Sequence, residues 1–187
     1  AAWAGTAMGQ RIVTTAVEHR AVLDAGASLE KFGFEVVVVG ADRYGRVDPD
    51  ALDAVLTERT CLVSLQLANN EVGTITDLPP LIARVRAACK GVVHIDAVQA
   101  AGSVAIDVRA LGADLVSVAG HKLEGPRGVG VLWVRRGTAI LPQLHGGSQE
   151  RHRRAGTEDV AGAVGMAEAW RLTTAGHEAL VPVLRAR

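Results

Sequence analysis

Short apolar runs alternate along the chain with longer segments in which apolar residues recur every three or four positions. The runs at Arg11–Thr15, Glu35–Gly40, Cys61–Leu67, Val92–Asp96, Asp114–Ala119 and Val129–Val134 are rich in Val, Ile and Leu. They lack the strict polar alternation of a strand with one wet face, and so read as strands buried on both faces. The amphipathic segments Glu18–Phe32, Pro49–Leu56 and Pro79–Cys89 read as helices between them. A short helical piece is expected at Val108–Leu111, and a final helix from Glu158 to about Thr173. Asp48 ahead of Pro49 supplies a side-chain cap, and proline at the first helical position sacrifices no hydrogen bond. This alternation predicts an α/β fold: a mainly parallel sheet with helices on both faces. The loop between the fifth and sixth runs is too short for a helical crossover, so an antiparallel edge strand is allowed there. Segment 137–157 has no periodicity and is rich in Gly, Arg and His, the mark of a functional or disordered loop. No repeat or linker divides residues 1–187, which read as one domain.

Composition narrows the partners. The chain is 49% hydrophobic and 21% charged over 187 residues, enough to bury a real core. Acidic and basic residues balance at 20 each, so neither nucleic acid nor an anionic membrane is an expected partner. No apolar run approaches the roughly 20 residues of a membrane helix, and Ala1–Gln10 lacks the features of a secretory signal. Cys61 and Cys89 have no Cys-x-x-Cys spacing, which argues against a disulfide framework and a zinc site; no metal is expected. A reducing, cytoplasmic setting is the expectation.

Among the 20 basic residues only Lys31, Lys90 and Lys122 are lysine. Lysine alone carries an amine able to form a Schiff base. Lys31 and Lys90 fall at the ends of helical patterns, where a cation complements the helix dipole. Lys122 has no such explanation.

Ligands of an open parallel sheet bind at the carboxyl ends of its strands. Asp96 ends the run Val92-Val93-His94-Ile95-Asp96 and is followed by Gln99; His121 and Lys122 follow the run ending at Ala119. Asn69 and Asn70 follow the third run, and His19 opens the first helix. Taken singly, each has an ordinary explanation: Asp as a turn former, Gln99 and Lys122 as solvated side chains, the Asn pair as a turn, His19 as a surface residue. Together they are the parts of a pyridoxal-phosphate (PLP) site. Lys122 would attach the cofactor, Asp96 would hold the pyridinium nitrogen protonated, Gln99 and Asn70 would bond the ring hydroxyl or substrate carboxylate, and His19 would stack on the ring.

The order of these motifs resembles the cysteine desulfurases, members of the class-V aminotransferase group of fold-type I PLP enzymes. The segments that carry the resemblance are Glu18-His19-Arg20-Ala21-Val22-Leu23, Asn69-Asn70-Glu71-Val72-Gly73, Asp96-Ala97-Val98-Gln99, Gly120-His121-Lys122 with Gly125-Pro126-Arg127-Gly128-Val129-Gly130, and His145-Gly146-Gly147 to Arg154-Ala155-Gly156-Thr157. The His-Lys pair alone is weak; five motifs in register are specific. The resemblance implies the large PLP-binding domain of such an enzyme. It gives His19 a part in proton transfer, His121 a place beside the phosphate, Lys122 the movement of the alpha proton, and Thr157 a reach to the neighbouring subunit's phosphate in a homodimer. The implied activity takes sulfur from L-cysteine as an enzyme persulfide, forms L-alanine, and hands sulfur to an acceptor protein, as in iron–sulfur cluster assembly. Selenocysteine lyase, an aminotransferase, or a non-catalytic PLP-binding or dimerising remnant are the alternatives.

The chain departs from that pattern in three ways. Ala119 stands where many relatives carry a hydroxyl on the phosphate. The upstream Gly-Thr phosphate turn and the C-terminal small domain with its nucleophilic cysteine are both missing, so the sequence is expected to be a truncated piece of a longer enzyme. Cys61, in an apolar strand run, and Cys89, distant from every motif, are not expected to take sulfur.

Overall fold

The computed structural model describes residues 1–185, with side chains through residue 176. Six strands form one sheet: β1 (Arg11–Thr15), β2 (Glu35–Val39), β3 (Thr60–Gln66), β4 (Val92–Asp96), β5 (Leu115–Ala119) and β6 (Gly130–Val134). Their spatial order is β2-β1-β3-β4-β5-β6. The first five run parallel, and β6 pairs antiparallel with β5 at the edge, as the short connecting loop allows.

The helices are α1 (Arg20–Glu30), α2 (Pro49–Val55), α3 (Leu78–Ala88), a four-residue turn α4 (Gln149–His152) and α5 (Val160–Arg185). Asp48 caps α2 by accepting the Asp50 N–H at 3.0 Å. Segment 108–111 is not a helix. It forms turns in which Asp107 accepts the Arg109 and Ala110 N–H groups on its side chain and Gly112 adopts φ 72°; the Asp side chain satisfies the backbone before a second helical turn can propagate. The first helix starts later than its apolar pattern, at Arg20, because Glu18 and His19 belong to the turn that precedes it. The long segment 137–157 is irregular apart from α4, where Glu150, Arg151 and His152 all hold left-handed φ of 48–62°.

Two apolar clusters flank the sheet. The larger joins Val13, Val63, Val93, Ile95 and Val116 to Leu52 of α2, to Leu81 and Val85 of α3, and to Met166 of α5. The smaller joins Ile12, Phe34 and Cys61 to Leu29 of α1 and to Trp3. Val36 packs in one and Val37 in the other, as period-two strand geometry requires of a sheet covered on both faces. The β1→β2 connection runs outward, whereas β3 lies on the other side of β1. The crevice between the carboxyl ends of β1 and β3 is therefore the topological switch point, where such sheets bind ligands.

Candidate functional site

A cleft of about 420 Å³ opens at that switch point, lined among others by Glu18, His19, Arg43, Asn69, Asn70 and Val72. Each wall is built by local hydrogen bonding. After β1 the chain turns at Thr15, whose carbonyl accepts the Glu18 N–H at 3.3 Å. His19 then caps α1: its Nδ1 accepts the Ala21 N–H at 3.1 Å, while the ring stays exposed. That bond fixes the ring's orientation and leaves Nε2 for a ligand.

After β3, Asn69 organises the opposite wall. Its side-chain amide donates to the Val17 carbonyl at 3.0 Å and to the Gln66 side chain at 3.1 Å, and its oxygen accepts the Glu71 and Val72 N–H groups at 2.8 and 2.9 Å. Asn70 is thereby held exposed over the cleft, with a long 3.4 Å contact from Gln66 Nε2 to its oxygen. Asn69 thus braces the wall that carries Asn70, where single-residue reasoning assigns a plain turn. Its four partners reveal it; the sequence offered only the Asn-Asn pair.

Asp96 lies one strand over, 7% exposed at the end of β4. It is in register with Gln66 on one side and Ser117 on the other. Oδ1 accepts the Val98 N–H at 2.9 Å, and Oδ2 accepts no hydrogen bond among the described residues. Two residues back, His94 is clamped between the Ser64 hydroxyl at 2.8 Å and the Ser117 hydroxyl at 2.7 Å. Burial holds the His94 imidazole below its ordinary pKa, with the Asp96 charge opposing. Gln99 is half-buried in the turn that leaves β4.

His121 and Lys122 sit, both exposed, on a single 3₁₀ turn (Gly120–Leu123) directly after β5. The turn closes through the Gly125 N–H donating to the Gly120 carbonyl at 3.0 Å, and ends at Glu124 with φ 60°. Gly120 admits no side chain: a Cβ there would meet the Pro126 carbonyl oxygen at 3.0 Å and Val129 Cγ1 at 2.9 Å.

Of the seven residues expected from sequence, the cleft itself gathers His19 and Asn70. Asp96, Gln99, His121 and Lys122 extend the same end of the sheet across β4 and β5. Thr157 stands apart, exposed on the approach to α5, and no hydrogen bond among the described residues ties it to the strand ends. Ala119 is the last residue of β5 and brings no hydroxyl to the turn. Both cysteines are buried, Cys61 fully and Cys89 to 7% exposure; burial pushes the Cys61 thiol up, away from the reactive thiolate.

Glu18 is the residue that sequence reasoning passed over. It is only 5% exposed although it lines the cleft. Burial pushes its carboxyl up to about 8, against the Thr15 hydrogen bond and with the help of the Asp96 charge. A second cleft of about 430 Å³ lies at the opposite, amino end of the strands, near Arg86, Asp114 and Arg135. Its Asp114 is engaged by both arginines and by the Val93 N–H, so it braces the sheet.

Residues 2–181 match the family described as Aminotransferase class-V. The chain is 48% identical over 177 residues to "Cysteine desulfurase IscS" of Methanosarcina thermophila, covering 95% of this chain and 44% of that protein. It is 47% identical over 168 residues to the protein of that name from Dictyoglomus turgidum, covering 90% and 42%. Among solved structures it matches a "NifS-like protein" with a TM-score of 0.91 at 39% identity, over 95% of this chain and 49% of the other. It matches DndA from Streptomyces lividans with a TM-score of 0.81 at 36% identity, over 90% and 49%. The chain thus spans less than half the length of these relatives.

Proposed function

We propose, proceeding from the fact that the chain belongs to the class-V aminotransferase family, that it forms the cofactor-binding core of a cysteine desulfurase acting on L-cysteine. The family's cofactor is pyridoxal 5′-phosphate. The observation that carries this reading is the arrangement at the carboxyl ends of adjacent strands: a buried acid on β4, an exposed amine just after β5, and an imidazole across the switch point after β1.

The residues present fit the group. Asp96, 7% exposed as a residue, offers a carboxylate oxygen that no other group engages among the described residues, the acceptor a protonated ring nitrogen needs. When bound, the cofactor supplies an electron sink for the substrate's alpha carbon. Lys122 presents a solvent-reachable amine on a short turn; it would hold the cofactor and could move a proton at the substrate's alpha carbon. His19, with Nδ1 occupied by the helix cap, keeps Nε2 free to stack and to exchange a proton. Asn70 and Gln99 supply amides for the ring hydroxyl and the substrate carboxylate, and His121 a donor for the phosphate. Thr157 completes the site by reaching the phosphate of a second subunit, which is why it stands apart from the strand ends of its own chain; the working form is then a homodimer. The setting is the cytoplasm, and the sulfur passes to an acceptor protein. Neither buried cysteine of this chain takes part in that transfer.

Addition of PLP to the chain should give the visible absorbance of a lysine-bound cofactor, abolished in Lys122→Ala. Absence of that absorbance at every pH would overturn the cofactor assignment. In the complete enzyme, L-cysteine should yield alanine and persulfide, and a Cys61→Ser, Cys89→Ser double variant should keep both products.

A further inference from the structure

The cleft has a buried carboxyl that the proposed chemistry leaves unused. Glu18 lies between β1 and the cap of α1 and is almost wholly withdrawn from solvent, at 5% exposure. Its Oε1 accepts the Thr15 hydroxyl at 3.1 Å. Its Oε2 is buried with no hydrogen-bond partner, the only such side-chain atom among the described residues. No cation compensates it: none of the ion pairs among the described residues involves Glu18. Arg20 and Arg43 line the cleft above, along with Asp42 and Glu71, and both arginines are exposed.

A carboxylate in this setting would carry a charge away from water with one oxygen unsolvated, a costly state. The negative charge of Asp96, on β4 beyond β3, acts on it in the same direction as burial. From β1 and β3 the neighbours carry no charge; the Thr15 hydroxyl and the Gln66 main chain favour the carboxylate, and burial outweighs both. Of two carboxyls that feel each other's charge, the drier one takes the proton and the other stays the anion. Asp96 has an N–H donor on Oδ1, from Val98, and an oxygen left for a cationic ligand. Glu18 has a hydroxyl on one oxygen and nothing on the other. Putting the proton on Oε2 of Glu18 removes the uncompensated charge and keeps the Thr15 bond intact.

We propose that Glu18 is a positioning residue of the strand-end site, held as the neutral acid under the cleft so that Asp96 is the single anion available to a cationic ring. This rests on the pyridoxal-phosphate reading for the ring, though not for the state of Glu18 itself. A neutral Glu18 keeps one negative charge opposite one positive ring; ionisation would add a second anion, repel Asp96 and disturb the turn that holds His19.

Infrared difference spectra of the full chain without cofactor separate a protonated carboxyl from carboxylates. A buried-acid band is expected at about pH 6, fading with a midpoint near 8, and absent in Glu18→Gln. Asp96→Asn should move that midpoint to lower pH by removing its negative charge. Absence of the band at about pH 6, its survival in Glu18→Gln, or a midpoint unmoved by Asp96→Asn would overturn the proposal. With PLP as the probe, Glu18→Gln should match the unaltered chain near pH 7 to within about twofold, while Glu18→Ala loses about tenfold in affinity. Equal loss in both variants would also overturn it. If the unaltered chain takes up no PLP, the cofactor reading fails, and the infrared arms alone decide Glu18.

Discussion

Between Thr15 and Arg20 the chain passes from strand to helix, and two neighbouring side chains end in opposite environments: Glu18 inside and His19 outside. His19 was legible from sequence only as part of one of five motifs in register, since a lone histidine at a helix start is ordinarily a surface residue. Glu18 was not, because a glutamate beside a helix start is an ordinary solvated complement to the dipole. Only the three-dimensional turn, with the Thr15 hydroxyl behind it, shows that the carboxyl points inward. The pH dependence of folding follows. The unfolded chain loses this proton near 4.5 and the folded chain near 8. Between those values the folded state holds more protons, so stability falls as pH rises, by up to about 1.4 kcal/mol per pH unit. Below 4.5 both states are protonated and the slope vanishes. Glu18→Gln should flatten this decline, read as urea midpoints at about pH 5 and about pH 8 in the two proteins. His94 acts in the opposite sense. Burial holds its folded pKa below the unfolded value of 6.5, so acidification below that value favours the unfolded chain, which alone takes the proton readily. His94→Gln should reduce the loss of stability on the acid side, measured by the same titration.

At the scale of elements, strand positions were readable because apolar runs of Val, Ile and Leu leave few alternatives for a chain buried on both faces. The expected Val129–Val134 strand loses only Val129 to the loop, and Val92–Asp96 matches throughout. The turn at 108–111 was not readable, since Asp107 at a cap position looks the same whether a helix follows or a single turn does. The connections that shape the site depend on side chains with several backbone partners, which a linear pattern does not display. Asn69 is the clearest case. Replacing it by alanine frees the Glu71 and Val72 N–H groups and the Val17 carbonyl. Asn69→Ala should cost about 1–3 kcal/mol in stability. It should also weaken PLP uptake, because the wall that holds Asn70 loosens; retained uptake at full stability would show that the wall is held by other means. At the other end of the sheet, Asp114 joins α3, β4 and β6 through Arg86, Val93 and Arg135. Asp114→Ala should destabilise by a similar amount and leave PLP affinity unchanged, which separates the bracing end of the sheet from the working end.

For the molecule as a whole, the strand order decided where the site lies, and order is not written in any local pattern. Six apolar runs in sequence fit several parallel arrangements; only β2-β1-β3 puts the switch point between His19 and Asn70. The long-range contact that ties the Lys122 turn to the rest of the fold was equally hidden. The loop bearing Lys122 packs on α5 by close approach of small residues. A Cβ on Gly125 would meet Ala169 Cβ at 3.0 Å, and one on Gly165 would meet Pro126 Cγ at 2.7 Å. The Thr173 hydroxyl donates to the Leu123 carbonyl at 3.2 Å across the same interface, and Met166 is 2% exposed beneath it. Two glycines of α5 therefore respond oppositely to one substitution. In a helix interior, Gly→Ala ordinarily gains about 1 kcal/mol. A Cβ on Gly176 would meet no described atom within 4 Å, so Gly176→Ala should show a gain of that sign. Gly165→Ala must displace the Pro126 ring, which has no flexible end to yield, so the contact outweighs propensity and the variant should be less stable than the unaltered chain. The displaced ring lies four residues past Lys122, so Gly165→Ala should lower PLP uptake as well, while Gly176→Ala leaves it unchanged. Thermal unfolding and cofactor titration of the two variants side by side measure both effects, and a stabilised Gly165→Ala with normal uptake would mean that α5 does not hold the lysine turn.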